Sequence, residues 1–177
     1  RTRYMPAEMG GAEAFIKIYE ETLAMVKEVE HLTINPADYA YEITKTGKRD
    51  DSVENYRIHR QKQEGLYYVE YHPAGGDANV EHLLAALDYA VTLDQVEARI
   101  APDQALFFIN LTADEARKIA EITDDSAEND FRRSVSCVGS TICQIGMQDS
   151  NGLLKDIFAH LEKKGVDTIK LPRLHIS

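Results

Sequence analysis

The stretch 136–150, SCVGSTICQIGMQDS, sets the tightest limit on what this chain can fold into. It holds the only two cysteines, Cys137 and Cys143, in a C-x5-C spacing, with Gly139 and Gly146 beside them. Thiolates are the soft ligands that zinc and iron–sulfur clusters select. Glycines accept positive φ and let the backbone close tightly around an inorganic centre. Leu153, Leu154, Ile157, Phe158 and Leu161 then recur at helical spacing, which predicts an amphipathic helix over about 151–164. Its first N–H groups suit cluster sulfides or an anion. Asp149-Ser150 reads as its cap, and Lys163-Lys164 with Gly165 as its end. Two thiolates do not complete a four-iron cluster. The spacing alone leaves cluster ligation, a structural zinc or disulfide site, and a pair of free thiols all open.

With 177 residues, the chain has room for one domain or two small ones, and its 44% hydrophobic content can fill a core. Its formal net charge of −10 argues against a nucleic-acid partner. No apolar run approaches the ~18 residues a membrane span needs. The opening RTRYMPAEMGG has no secretory leader, and two cysteines make no disulfide framework, so the expected compartment is the reducing cytoplasm. A start at Arg1 and a finish on LPRLHIS, which reads as a strand, lead us to expect a fragment of a longer protein.

Phe15, Ile18, Tyr19, Thr22, Val26 and Val29 predict a helix over 12–31. Residues 32–54 are polar and turn-rich and read as a connector. Over 55–122 the pattern is β-α-β-β-α, an α+β layer with helices on one face of a small sheet. Strands are expected at 66–71, 96–100 and 105–110. The first helix carries Val80, Leu83, Leu84, Leu87 and Val91, with Asp77 as its cap; Thr112 and Glu115 form a capping box before the second. The expected core is Leu66, Val69, Leu84, Leu87, Ile100, Leu106 and Phe108, which would turn Arg99 to the opposite face of the sheet. Residues 123–136 form a polar lead, in which Arg132 and Arg133 read as a surface pair. A strand is expected within 166–177. The histidines show no ligand spacing, and no nucleophile elbow, phosphate loop or dinucleotide fingerprint is present.

The string SVSCVGSTICQIGMQDS, with Gln61-Lys62-Gln63-Glu64-Gly65-Leu66, the pair Gly75-Gly76 and Gln104, resembles the nitrite/sulfite reductase family across roughly residues 55–177. The resemblance implies a ferredoxin-like half-domain at 55–122, preceded by a helix and connector at 1–54. A partial α/β siroheme/[4Fe-4S] domain follows at 123–177. In that family a C-x5-C element and a later C-x3-C element bind a [4Fe-4S] cluster coupled to siroheme. Cys137 and Cys143 would be two of the cluster ligands, and LPRLHIS would lead into the second element. Siroheme carboxylates call for guanidinium, ammonium and amide groups. The positions implied are Arg60, Lys62, Gln63, Arg99 and Gln104, with Arg57, His59 and Gln61 in the same basic run. The implied partners are nitrite or sulfite as the small inorganic anion, an electron donor protein or domain, and the remainder of the polypeptide, with no nucleic acid and no membrane. The fragment alone is expected to be inactive. A non-catalytic binding or regulatory module that keeps the fold without the redox centre is the rival reading.

Overall fold

A computed structural model of the chain describes residues 4–30 and 41–177. The chain divides into two compact units, residues 1–42 and 43–177. The first holds α1 (Met5–Glu8) and α2 (Ala12–Val29), the latter matching the helix predicted over 12–31. α2 starts at Gly11, whose φ of 106° breaks the chain direction between the two helices. None of its residues is buried; Ile16, Tyr19, Met25 and Val29 stand exposed. Residues 31–40, the last position of the predicted helix and the first part of the predicted connector, lie outside the described residues.

In the second unit, β1 (Ile58–Arg60), β2 (Tyr67–Tyr71), β3 (Glu97–Ile100) and β4 (Leu106–Leu111) form an antiparallel sheet in the order β1-β2-β4-β3. Alternation puts Ile58, Val69 and Phe108 side by side on one face, where α3 (Val80–Ala90) and α4 (Ala113–Ile122) cover them. Tyr67, Val69, Ala86, Phe108, Leu111 and Ile119 are fully enclosed there. The mixed α+β class follows, and β1 adds a strand to the expected order, giving β-β-α-β-β-α.

Local signals set the helix ends. Thr112 and Glu115 form the anticipated capping box, with the Thr112 N–H donating to Glu115 Oε2 at 2.8 Å. At α3 the cap is Asn79 rather than Asp77: Asn79 Oδ1 accepts from Glu81 N at 3.0 Å, while Asp77 pairs with Lys155. Two residues expected in the core are outside it. Ile100 is 89% exposed because β3 is an edge strand, and Leu84 is 55% exposed on the outer flank of α3. Residues 43–50 do more than connect. The Thr44 and Lys45 amides donate to Gln95 Oε1, and Lys45 pairs with Glu115 at 2.7 Å.

Beyond Thr123 the structure is sparser. β5 (Val135–Ser136) runs parallel to β6 (His175–Ile176), the short strand that 166–177 provides. α5 (Ser150–Lys163) is capped by Asp149, whose Oδ1 accepts from Gly152 N at 2.9 Å. Its apolar side anchors a small core of Phe131, Leu154 and Phe158, the two rings meeting edge-on at 5.4 Å.

Candidate functional site

β5 leads straight into the cysteine loop. The Cys137 N–H donates to Ile176 O at 2.8 Å and the Val135 N–H to Leu174 O at 3.0 Å, so β6 fixes where the loop begins. The loop then closes on itself. Cys143 N donates to Gly139 O at 2.9 Å, Gly146 N to Cys143 O at 3.0 Å, and Ser140 N to Gln148 O at 2.8 Å. Gly139 sits at φ 68°, and a Cβ there would lie 2.6 Å from Ser150 N; a Cβ at Gly146 would lie 2.9 Å from Gly139 C. Only glycine fits either place, because two stretches of backbone touch there. Both cysteines are free thiols, Cys137 exposed and Cys143 half-buried, and Cys137 Sγ lies 3.2 Å from Ser150 Oγ.

The sheet buttresses this loop. Gln104, held at φ 66° in the β3–β4 turn, donates through Nε2 to Ser136 O at 2.8 Å. Gly76 lies against it: a Cβ there would come within 3.1 Å of the Gln104 side chain. Asn151 Nδ2 reaches Gly75 O at 3.3 Å. The glycine pair, Gln104 and the residues flanking the cysteine string therefore meet at one place, although they are far apart in sequence. Around them opens a cavity of about 1120 Å³, walled by Leu83, Leu87, Ile100, Val138 and Ile142. Ser136 and Asn151 also line it, and their buried Oγ and Oδ1 have no hydrogen-bond partner among the described residues.

The other implied cofactor contacts are not gathered at the loop. Arg60 pairs with Glu54 at 2.6 Å and with Asp51 at 3.6 Å. Arg99 pairs with Glu97 at 2.9 Å on the sheet face away from the helices, beside Phe107. Lys62 and Gln63 are exposed in the β1–β2 turn. Gln61 is spent on structure, exchanging bonds with Asn110 N and Asn110 Oδ1.

Sequence reasoning missed a polar cluster on that open face. Arg133 joins Glu70 and reaches Asp103 at 3.2 Å, and Arg173 stands 3.8 Å from the same Asp103 oxygen. Burial pushes the Glu70 carboxyl above its usual range, and burial pushes His72 below its own. His72 is 1% exposed. The available signal was the alternation of β2, which puts Glu70 and His72 on the face opposite Val69 and Tyr71. A second cluster joins the start of α3 to the loop after α4. His82 Nδ1 lies 3.0 Å from Asp125 Oδ1 and 3.3 Å from Asp124 Oδ1, and the Tyr71 hydroxyl donates to Asp125 Oδ2 at 2.8 Å.

No protein-family profile and no curated protein matches the chain. Its fold is similar to that of the Mycobacterium tuberculosis NirA protein, with a TM-score of 0.58, 19% sequence identity and 68% of this chain covered. The matched part is 24% of the NirA chain, so this chain spans about a quarter of that protein's length.

Proposed function

We propose that this chain is part of a siroheme- and [4Fe-4S]-dependent oxidoreductase that reduces nitrite or sulfite. It contributes a ferredoxin-like half-domain at 55–122 and the first part of the cluster-binding domain at 123–177. The observation that carries the reading is the meeting of Gly75-Gly76 and Gln104 with the base of the C-x5-C loop. These are the separate pieces on which the family resemblance rests. The fold shared with the NirA protein supports the same arrangement.

The residues present fit the two groups. Cys137 and Cys143 are unpaired thiols on a glycine-closed loop, as cluster ligands must be, and Ser150 can donate a hydrogen bond to the Cys137 sulfur. The rest of the polypeptide would supply the remaining ligands. Arg60 and Arg99 hold surface acidic neighbours, pairings worth little in water, so both can turn to siroheme carboxylates together with Lys62 and Gln63, while Gln104 keeps one Nε2 hydrogen on Ser136 O and has the other to offer. When bound, the coupled siroheme and cluster pass electrons one at a time to the anion. The chain's own part is to hold the cluster edge, to keep the loop in register with the sheet through Gln104, and to present cations to anionic groups. The electron donor is a separate protein or domain, and the compartment is the cytoplasm.

The test is Cys137→Ser and Cys143→Ser in the longer polypeptide that includes a downstream C-x3-C element, reconstituted anaerobically with iron and sulfide. Serine is a far poorer iron ligand than a thiolate. Each variant should lose cluster absorbance and the reduction of both nitrite and sulfite by a chemical reductant, while the far-UV circular dichroism stays unchanged. Full turnover in either variant would overturn the reading.

A further inference from the structure

β3 ends the sheet, and among the described residues no strand pairs with its outer side. The Ala101 N–H donates to Ala105 O at 2.9 Å, which fixes the alternation along β3. Residues 97 and 99 direct their peptide groups toward β4, while 96, 98 and 100 direct theirs outward, unpaired. The side chains on this edge read Val96-Glu97-Ala98-Arg99-Ile100, a sequence with opposite charges placed evenly about Ala98.

An antiparallel copy of the same strand, centred on Ala98, matches it at every position. Ala98 faces Ala98 and exchanges hydrogen bonds through the outward groups. Val96 faces Ile100 on either side, again in hydrogen-bonding register. Glu97 faces Arg99 twice, at the closely spaced non-hydrogen-bonded positions where cross-strand ion pairs act best. A shift of the partner strand by two residues, the smallest that keeps the same peptide groups paired, would set Arg99 against Arg99 or Glu97 against Glu97, so the charges choose the register. The apolar surface continues along the same flank. Ile100 is 89% exposed, and α3, which packs beside β3, exposes Val80 at 66% and Leu84 at 55%, with Val91 just past its end at 81%. That is a large unpartnered strip for a chain of net charge −10.

We infer that two copies of this chain join through the edge of β3 across a twofold axis, forming one continuous antiparallel sheet with the two α3 helices packed side by side. An isologous contact requires that one surface complement itself, and the antisymmetric charges about Ala98 meet that requirement. The inference does not depend on the redox reading, since no cofactor residue has to be loaded for the edge to pair.

Sedimentation equilibrium of the 177-residue chain tests it, with E97R, R99E and the double swap E97R/R99E. The wild-type chain should be a dimer. Each single swap sets like charges opposite each other twice and should weaken dimerisation by about tenfold or more. Mixing E97R with R99E should restore a dimer containing one of each, and the double swap should restore self-association. Arg99 is exposed and Glu97 half-buried, neither in the core, so circular dichroism of every variant should match the wild type. A wild-type chain that stays monomeric to about 100 µM, single swaps that dimerise as tightly as wild type, or a mixture that stays monomeric would each overturn the interface.

Discussion

The sheet and the cysteine segment are held together by different means. The sheet with α3 and α4 encloses Tyr67, Val69, Phe108, Leu111 and Ile119 in one apolar layer, and each strand is ordered by its neighbours. The segment from 124 to 177 has a core of only Phe131, Leu154 and Phe158, two strands of two residues each, and a loop that exposes Ile142, Ile145 and Met147. Its shape comes from backbone closure at Gly139 and Gly146, one anchored helix, and polar ties to the sheet unit through Gln104, Asn151 and Arg133. The contrast separates a scaffold that needs nothing added from a loop that is positioned but thinly buried. Low burial of this kind marks the part of a fold that opens first.

The sharpest way to break this contrast is a pair of cavities. Phe108→Ala should lower the unfolding free energy by about 3–5 kcal/mol, melting the sheet and the cysteine segment together. Leu154→Ala removes an equally enclosed but smaller side chain and should cost about 2–4 kcal/mol. Its effect should fall on one side only: amide exchange should quicken across 137–146 and α5 while β2 and β4 keep their protection. Equal loss of protection in β4 would show that the two regions unfold as one.

A smaller change sharpens the scaffold side. Thr112→Ala deletes the capping box and should cost about 1 kcal/mol, read as a lower denaturation midpoint with an unchanged slope.

The smallest effect concerns the tie between α3 and the loop after α4. The hydrogen bond to Asp125 raises His82 above its usual 6.5. Burial pushes Asp125 upward, but the bonds from His82 and Tyr71 outweigh it and hold the carboxyl below its usual 3.8. A raised histidine gives its full stabilisation below 6.5 and loses it as pH climbs through the folded value. A lowered aspartate gives its own above 3.8 and loses it as pH falls through the folded value. The tie is therefore strongest between those two limits. Melting temperature stepped across that window and above it should show a slight decline on the alkaline side, and D125N should flatten it. A D125N profile that keeps the same decline would remove His82 as its source.

Much of the scaffold was legible because its signals are local. Thr112 and Glu115 are three residues apart, and the aromatic and β-branched runs of β2 and β4 are continuous. What escaped depends on distant partners. β1 is three residues long inside a basic run and becomes a strand only because β2 lies beside it. Asp77 reads as the cap of α3, but Lys155, from α5, holds its carboxylate, and Asn79 caps the helix instead. Ile100 alternates correctly with Arg99 but sits on an edge, which periodicity does not reveal. At the site, the cysteine string and Gln104 could be singled out by type and resemblance. The bond from Gln104 to Ser136 O, the burial of Glu70 and the half-buried network around Arg133 needed the fold, since each joins residues thirty or more positions apart.

The pairing of β6 with β5 has a practical side. Because Cys137 N bonds Ile176 O, anything joined after Ser177 starts next to an exposed thiol. A polyhistidine tag placed there brings imidazoles up to the Cys137 sulfur, and mixed nitrogen and sulfur donors hold zinc and nickel well. Metal carried off a purification column would then sit in a pocket made by the tag, and its stoichiometry would describe the purification handle instead of the protein. A handle at the amino end, or one cleaved before metal analysis, keeps Cys137 and Cys143 the sole thiol donors being assayed.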